Sequence, residues 1–354
     1  MWKKILVTLL LCISICAGFF VAKAQVTFNN TLNHMNRDYD TALKNVDLSG
    51  IKVNSDENVV NILIVGNDFR EEKYYDASGL TDTMIIATMD KKHKNLKLTS
   101  LMRDMLVDIP DHGSNKLNAA NSFGGIELLY KTIAQNFNIE LDGYVEVGFD
   151  AFEKIVNAVG GVEVELTESE ASYLNTTNYI SKKRFRNVVV GKQKLNGNQA
   201  LGYCRIRKNG VKTITGLMDD YGRTWRQRTI ISGVFSKIKS LSLPQCLELA
   251  NDILGEYVTT DLTNDAIIGY MKDVIFLGTT EVSQLQIPIG GYFRSSYKGE
   301  YSVGDVLILT DGTSSERNLA SNAEALNKFI FEYDGKEPFS YGEYTSNDTG
   351  ASEG

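Results

Sequence analysis

The chain has 354 residues, and its 37 basic and 44 acidic residues give a net charge of −7. This balance lacks the broad basic surface that nucleic-acid binding requires, so nucleic acid is excluded as an expected partner. Cys12 and Cys16 lie in an apolar segment, which leaves only Cys204 and Cys246 and excludes a disulfide-stapled scaffold.

The first 24 residues predict a membrane segment. Lys3 and Lys4 precede an apolar run over 5–22, about long enough to span a bilayer with the rest of the chain outside the cytoplasm. The sequence Ala22-Lys23-Ala24 is similar to a signal-peptidase site, so cleavage there is the alternative to a retained anchor. We expect a cytoplasmic stub and signal anchor over 1–24 and a single-pass cell-membrane protein with an extracytoplasmic catalytic domain.

Beyond the anchor, β-branched runs alternate with segments of helical spacing, which predicts an α/β fold with a layered mixed central β-sheet flanked by helices. Strands are expected at 59–65, 84–89, 96–100, 144–147, 162–166, 282–287 and 303–309. Helices are expected at 124–137, 149–159, 222–241, 245–254, 264–277 and 318–331. The segment 167–190 is expected to be an irregular excursion.

Changes in composition divide the chain into five parts. The polar stretch 25–57 is expected to be a stalk, and 58–243 the main domain. Residues 244–333 are expected to form a C-terminal α/β extension that completes the domain or is appended to it. The last part, 334–354, is rich in Gly, Ser, Asn, Thr and Glu and is expected to be disordered.

Two aspartates stand at the ends of neighbouring predicted strands. Asp68 follows the strand that ends at Val65, and Asp82 begins the next one. Ligands bind at such strand ends in α/β sheets. A pair of carboxylates suits Mg²⁺, which takes few protein oxygens and completes its octahedron with water and substrate phosphate. The alternative is that each aspartate caps the backbone of a turn.

A third group, Arg103-Asp104, directly follows the strand expected at 96–100. Arginine binds phosphate oxygens in bidentate fashion, and the adjacent carboxylate can orient that arginine or accept a proton from a hydroxyl. The alternative is an ordinary surface ion pair.

The most specific group is a set of donors between Arg205 and Gln227. Arg205 and Arg207 alternate on a piece expected to be extended, so both would point to one side, and Arg223 and Gln227 share one helix face at i, i+4. A glycine before the expected helix start, Gly222, would add the positive end of the helix dipole. The pattern predicts an anion site, and a solvated basic helix face is the alternative.

These motifs, read in order, resemble the LytR-CpsA-Psr family of bacterial envelope proteins. The resemblance runs from about Asn61 to Lys239. It rests on NILIVGNDFR, LTDTMIIATMD, LTSLMRDMLVDIP, KLNAANSFGG, GYVEVGFDAFEKIVNAVGGVEVEL, KLNGNQALGYCRIR and DYGRTWRQR. It implies a phosphotransferase that moves a glycopolymer from an undecaprenyl-pyrophosphate carrier to a peptidoglycan hydroxyl. Teichoic acid, capsule and other wall glycans all remain open as the polymer.

The resemblance also assigns roles to residues. Asp68 and Asp82 match the ligands of Mg²⁺ or Mn²⁺. The pyrophosphate-binding set is matched by Arg103, Arg205, Arg207, Arg223 and Gln227. Asp104 matches a base or arginine-orienting residue, and Asp220 a further acidic position beside the site, which makes Asp104, Arg103 and Asp220 the expected catalytic group.

The polyprenyl tail is expected in an apolar tunnel that the faces 126–133 and 149–159 could line, and ordinary core packing is the alternative for both faces. The sequence departs from the family pattern at Phe69, where a small hydroxylated residue is common, and in the loop 208–218.

Two rival functions keep the same site. One is a hydrolase that releases the polymer to water, and the other is a lipid-phosphate-binding regulator or scaffold without turnover.

Overall fold

The computed structural model describes residues 36–37, 42–67, 81–241, 245, 258–279 and 281–341. Their strands are β1 Asn36–Arg37, β2 Val59–Asn67, β3 Thr83–Asp90, β4 Asn95–Leu101, β5 Leu106–Ile109, β6 Gly113–Lys116, β7 Gly143–Gly148, β8 Val162–Leu166, β9 Gly191–Leu195, β10 Val258–Thr260, β11 Val282–Ile287, β12 Phe293–Ser295 and β13 Leu307–Leu309. Their α-helices are α1 Ala119–Phe137, α2 Phe149–Ala158, α3 Glu168–Thr176, α4 Gly197–Cys204, α5 Asp219–Lys239, α6 Asn264–Phe276 and α7 Ala320–Asn327.

Seven of the described strands form one mixed sheet in the order β1–β10–β7–β2–β3–β4–β11. Strands β2, β3 and β4 are antiparallel neighbours, whereas β7 is parallel to β2 and β11 is parallel to β4. The strands expected at 84–89 and 96–100 are β3 and β4, which form an antiparallel hairpin. The expected fold class, a mixed central sheet flanked by helices, is therefore confirmed for the described residues.

One face of the sheet carries the main core. Successive side chains of a strand point to opposite faces, so Leu63 and Val65 of β2 lie on this side with Met84 of β3. Helix α1 contributes Leu129 and Ile133 to the same cluster. The predicted tunnel face 126–133 is thus part of ordinary core packing.

The other face of the sheet is covered by α2, α5 and α6. Val60, Ile62 and Ile64 of β2 point to this side and line a cavity of about 400 Å³. The helices contribute apolar side chains on the far wall, including Ile155, Phe235 and Tyr270. An apolar space therefore lies between sheet and helices on this face.

A second, smaller core holds the segment between β8 and α5 together. The antiparallel strand pair β8–β9 packs against α3, α4 and α5. The fully buried side chains of this core include Leu174, Leu195, Tyr203, Ile206 and Ile230. The segment 167–190, expected to be irregular, contains α3. That helix begins with a capping box between Thr167 and Glu170, a signal that was visible in the sequence.

One predicted helix start is wrong. Helix α5 begins at Asp219, so Gly222 lies inside the helix and does not precede it. Helix α1 spans Ala119–Phe137, but its backbone is non-helical at Gly124 and Gly125, so the helix expected at 124–137 is the part of α1 after this kink. Gly125 adopts φ of 65°, a left-handed value that glycine tolerates without a Cβ clash.

Several predictions concern residues outside the described ranges. The anchor over 1–24, Asp68, Cys246 and, apart from Gln245, the helix expected at 245–254 all lie there. Within the described residues, we find no helix that combines the length and apolar character needed to span a bilayer. The division of the chain into five parts stays a prediction.

Candidate active site

Asp82 directly precedes β3, an interior strand, and so lies at the end of the sheet where β3 begins. Gly66 of β2 pairs with Thr83 in antiparallel register, and a Cβ on Gly66 would lie 2.9 Å from the Thr83 Cβ. Glycine therefore permits this close pairing. The Asp82 side chain is 60% exposed, so its carboxylate is accessible at the mouth of the site.

Arg103 and Asp104, which follow β4, meet this carboxylate. Arg103 donates a hydrogen bond to Asp82, and its Nε lies 3.3 Å from Asp104 Oδ2. On its other side, Asp104 accepts a hydrogen bond of 3.0 Å from Lys116 Nζ. Burial lowers the pKa of Arg103, but the charges of Asp220, Asp104 and Asp82 outweigh burial, so the net shift raises it.

The first two turns of α5 supply three more of the predicted residues. Asp220, Arg223 and Gln227 lie on one helix face at spacings of three and four. Arg223 Nη2 lies 2.9 Å from Asp220 Oδ1 and donates a 3.0 Å hydrogen bond to the main-chain carbonyl of Asp82. Gln227 Nε2 donates to Thr83 Oγ1 at 2.9 Å. These contacts join α5 to the N-terminal end of β3.

Arg223 is buried, with a side chain that is 5% exposed. Burial lowers the pKa of Arg223, and together with the like charges of Arg103 and Arg207 it outweighs the attraction of Asp220 and Asp82, which raises the pKa. Because an arginine remains protonated in proteins, Arg223 is a buried positive charge that an incoming anion would neutralise. The Nε atom of Arg223 is buried without a hydrogen-bond partner.

The prediction that Arg205-Ile206-Arg207 forms an extended piece is wrong. Residues 197–204 form α4, which begins with a capping box between Asn196 and Gln199, and Arg205 is the C-terminal cap of that helix. The capping residues favour a helix over the strand that alternation suggested. Both arginines nevertheless face the predicted site, because the chain leaves α4 beside α5.

Arg205 and Arg207 differ in their surroundings. The guanidinium carbon of Arg205 lies 4.9 Å from the ring centroid of Phe149 and 5.8 Å from that of Tyr179. Arg207 Nε lies 3.1 Å from Asp220 Oδ1, so this carboxylate links Arg207 to Arg223. Sequence reasoning placed Phe149 in the predicted tunnel face 149–159 but missed its contact with Arg205, and it missed Tyr179, which lies in the segment expected to be irregular.

These side chains form the polar end of a cavity of about 440 Å³. The polar lining includes Asp82, Arg205, Arg207, Arg223 and Gln227, and the apolar lining includes Phe152, Ile155, Val156, Ile230, Ile231, Val234, Phe235 and Ile238. The predicted tunnel face 149–159 contributes Phe149, Phe152, Ile155 and Val156 to this wall. One cavity therefore combines arginine donors with a long hydrocarbon surface.

The cavity adjoins the apolar space described above on the same face of the sheet. Five residues line both cavities: Ile64, Val147, Ile155, Phe235 and Ile238. The apolar surface thus extends from the arginines towards α6. Its shape fits an amphiphile with an anionic head and a long apolar tail.

Asp82 fits one part of a magnesium site. Among the described residues, no group of three or more His, Cys, Asp or Glu side chains is arranged to hold a metal ion. Mg²⁺ needs only one or two carboxylates when phosphate and water supply its other ligands. Asp82 satisfies this requirement, and Asp68, its predicted partner, lies outside the described ranges, so the metal site stays a prediction.

Sequence comparison identifies relatives over most of the chain. A sequence model of the LytR_cpsA_psr family matches residues 20–314. Regulatory protein MsrR of Staphylococcus aureus strain COL is 29% identical over 273 residues, covering 77% of this chain and 75% of that protein. The polyisoprenyl-teichoic acid–peptidoglycan teichoic acid transferase TagU of Enterococcus faecalis is 33% identical over 234 residues, covering 65% and 70%.

Solved structures share the fold. TagT bound to LIIa-WTA aligns with a TM-score of 0.60 and 25% identity, over 80% of this chain and 98% of that one. Protein gbs0355 from Streptococcus agalactiae aligns with a TM-score of 0.61 and 25% identity, over 84% and 96%. The motif order, the mixed sheet and the family match agree, and the chain belongs to the LytR-CpsA-Psr family.

Proposed function

We propose that this protein transfers a glycopolymer from a polyprenyl-pyrophosphate carrier, undecaprenyl pyrophosphate, to a hydroxyl of peptidoglycan by Mg²⁺-assisted phosphotransfer. One observation carries the proposal: the arginine-lined end of the cavity opens directly onto an apolar wall. That arrangement fits a pyrophosphate head and a polyprenyl tail held by the same molecule. The similarity to TagU and to TagT bound to LI-WTA supports both the transfer and the type of donor.

In this reaction the acceptor oxygen attacks the phosphorus next to the glycopolymer. The bond from that phosphorus to the bridging oxygen breaks, and polyprenyl phosphate leaves. Arg205, Arg207 and Arg223 would bind the pyrophosphate oxygens and neutralise the charge that develops on the leaving phosphate. Such preorganised donors supply most of the catalysis in phosphoryl transfer.

The proton of the acceptor hydroxyl needs a carboxylate. Asp104 is the proposed base: its side chain is 27% exposed, whereas that of Asp220 is 13% exposed and bound by two arginines. Lys116 and Arg103 would hold the Asp104 carboxylate in a fixed direction. Asp82, with Asp68, would hold Mg²⁺, which when bound supplies further neutralisation of phosphate charge.

The predicted anchor suits this role, because a lipid-linked donor and peptidoglycan both lie at the outer surface of the cell membrane. A regulator that binds the lipid without turnover is the second candidate, favoured by the similarity to proteins named MsrR. Hydrolysis to water is the third, since the same site would serve it.

The test is reconstituted transfer with the full-length protein in detergent, a polyprenyl-pyrophosphate-linked glycopolymer and purified peptidoglycan. We expect peptidoglycan-linked polymer and released polyprenyl phosphate, and loss of both in Arg103→Ala and Arg223→Ala. Intact transfer by these variants would refute the proposal. Polymer released equally well without peptidoglycan would establish hydrolysis. Lipid binding without turnover, unchanged in Asp104→Asn, would establish a regulator.

A further inference from the structure

Arg226 lies on α5 between Arg223 and Gln227 in the sequence, yet it does not line the cavity. Its side chain is 0% exposed and lies in the second core among Tyr203, Ile206 and Val211. Arg226 lies on the side of the helix that packs against the second core, whereas Arg223 and Gln227 line the cavity. The proposed chemistry therefore leaves a fully buried guanidinium unexplained.

Arg226 donates hydrogen bonds to three groups in two separate segments of the chain. Nε lies 2.7 Å from Oε1 of Glu170, whose side chain is also 0% exposed. Nη1 donates to the carbonyl of Ile206 at 3.2 Å, and Nη2 donates to the carbonyl of Val211 at 2.9 Å. The guanidinium thus joins α5 to the start of α3 and to the loop that follows α4.

The two carbonyls bracket the loop that carries Arg207. Ile206 and Val211 are buried, whereas 207–210 are exposed between them. The first turn of α3 fastens the far end of the same loop, because Thr167 Oγ1 donates to the Lys212 carbonyl at 2.8 Å. Both ends of the loop are therefore tied to residues that do not line the cavity, Arg226 and Thr167.

Glu170 fixes the direction in which Arg226 points. Its Oε1 accepts from Arg226, while its Oε2 accepts from the main-chain N–H of Thr167 at 3.0 Å within the capping box. A well-packed apolar pair often replaces a buried ion pair at comparable stability. The distinctive contribution of this pair is therefore geometric: it aims two further donors at the loop.

We propose that Arg226, oriented by Glu170, is a positioning residue. It holds the loop 205–212 so that Arg205 and Arg207 converge with Arg223 and Gln227 on a single anion. The inference rests on the proposed function, which supplies the pyrophosphate as that anion. It concerns a residue that contacts no substrate and acts through the backbone of the loop.

The principal variant is Arg226→Lys, which keeps a positive charge opposite Glu170 but cannot also reach both carbonyls. The double variant Arg226→Met with Glu170→Met removes both charges and keeps the volume, in case the lysine variant fails to fold. Arg228→Lys is the matched control. Arg228 is a buried arginine on the same helix, but its guanidinium contacts Gln284 and Gln286 of β11 and not the loop.

Two measurements are made on the full-length protein: binding of geranylgeranyl pyrophosphate, and hydrogen exchange of the amides of 205–212. We expect about tenfold weaker binding in Arg226→Lys and in the double variant, equivalent to one lost charge-assisted hydrogen bond. We expect faster exchange in the loop, including the Val211 amide, which donates to Lys208 in the native turn. The control should leave loop exchange unchanged.

A third measurement separates positioning from a general loss of structure. In a protein already carrying Arg205→Ala and Arg207→Ala, adding Arg226→Lys should weaken binding by less than about twofold, since independent sites add and coupled sites do not. A full tenfold loss in that background, or native loop exchange in Arg226→Lys, would overturn the inference. If the wild type binds no prenyl pyrophosphate, the proposed function fails, and loop exchange then decides the positioning role.

Discussion

Arg223 of α5 donates a 3.0 Å hydrogen bond to the main-chain carbonyl of Asp82, the residue that precedes β3. The same guanidinium lies 2.9 Å from Asp220, so it is oriented from two sides before a ligand binds. Donors that are already oriented need no reorganisation during the reaction. This relationship places Arg223 at the centre of the proposed site.

The first prediction concerns Arg223→Lys. A single ammonium cannot hold Asp220, the Asp82 carbonyl and a phosphate oxygen together, so we expect transfer to fall by about 10²-fold. The turnover of the reconstituted reaction is measured beside the thermal unfolding midpoint. Lys237→Ala is the control on the same helix, since its contact with Glu163 is a 3.7 Å surface pair. A loss of transfer equal to that of Lys237→Ala would contradict the prediction.

The second prediction concerns Asp82→Asn and the proposed metal. The amide keeps the main-chain carbonyl that Arg223 uses but removes a carboxylate from the proposed Mg²⁺ site. We expect the Mg²⁺ concentration for half-maximal transfer to rise by at least about 10- to 100-fold. Titration of transfer activity with Mg²⁺ measures this shift. Asp108→Asn, whose partner Arg317 lies away from the site, should leave the titration unchanged. An unaltered titration in Asp82→Asn would remove Asp82 from the metal site.

The third prediction concerns the apolar cavity. Ile155 lines both the cavity at the arginines and the adjoining one, so Ile155→Trp should block the passage between them. We expect long polyprenyl pyrophosphates to bind at least about tenfold more weakly, because the larger side chain overpacks the passage that their tails must enter. Geranylgeranyl pyrophosphate should lose much less affinity, because its shorter tail does not need that passage. Ile214→Trp, at an exposed position, is the control. Equal losses for short and long tails would show that the tail does not pass Ile155.

The fourth prediction concerns a buried ion pair between β3 and β4. Asp90 lies 2.8 Å from Lys97, and both side chains are 0% exposed. Burial raises the pKa of Asp90, but the hydrogen bonds from Lys97 and His93 outweigh it and hold the pKa below its ordinary 3.8. A carboxylate with a depressed folded-state pKa stabilises the fold above its unfolded pKa and loses that stabilisation as pH falls through its folded pKa.

Asp90→Asn should therefore destabilise the protein at pH 7 by about 3–5 kcal/mol, since it leaves the Lys97 charge buried without its partner. The difference from wild type should stay constant at neutral pH and shrink below pH 3.8, where the wild-type carboxylate loses its advantage. Urea unfolding at a series of pH values measures it, with the exposed Asp111→Asn as control. A difference that grows as pH falls would contradict the assignment.

Local patterns in the sequence determined much of the architecture. The β-branched runs predicted the bounds of β2, β3 and β4 to within two residues. This is possible because a buried strand requires apolar residues along its own length, which the sequence shows directly. The same reading placed Asp82 at the start of a strand, Arg103 just after one, and Arg223 with Gln227 on one helix face. Spacing along a single element is enough for such predictions.

Tertiary structure decided what neighbouring residues in the sequence do. Arg223 and Arg226 are three positions apart in one motif, yet the first faces the cavity and the second is buried against Glu170. Spacing along the helix cannot distinguish these roles. The distant segments that pack against the helix decide which of its sides is buried and which lines the cavity. Arg205 and Arg207 likewise reach the site from the end of α4. Their convergence with α5 depends on contacts between segments that are far apart in the chain, which local propensity does not encode.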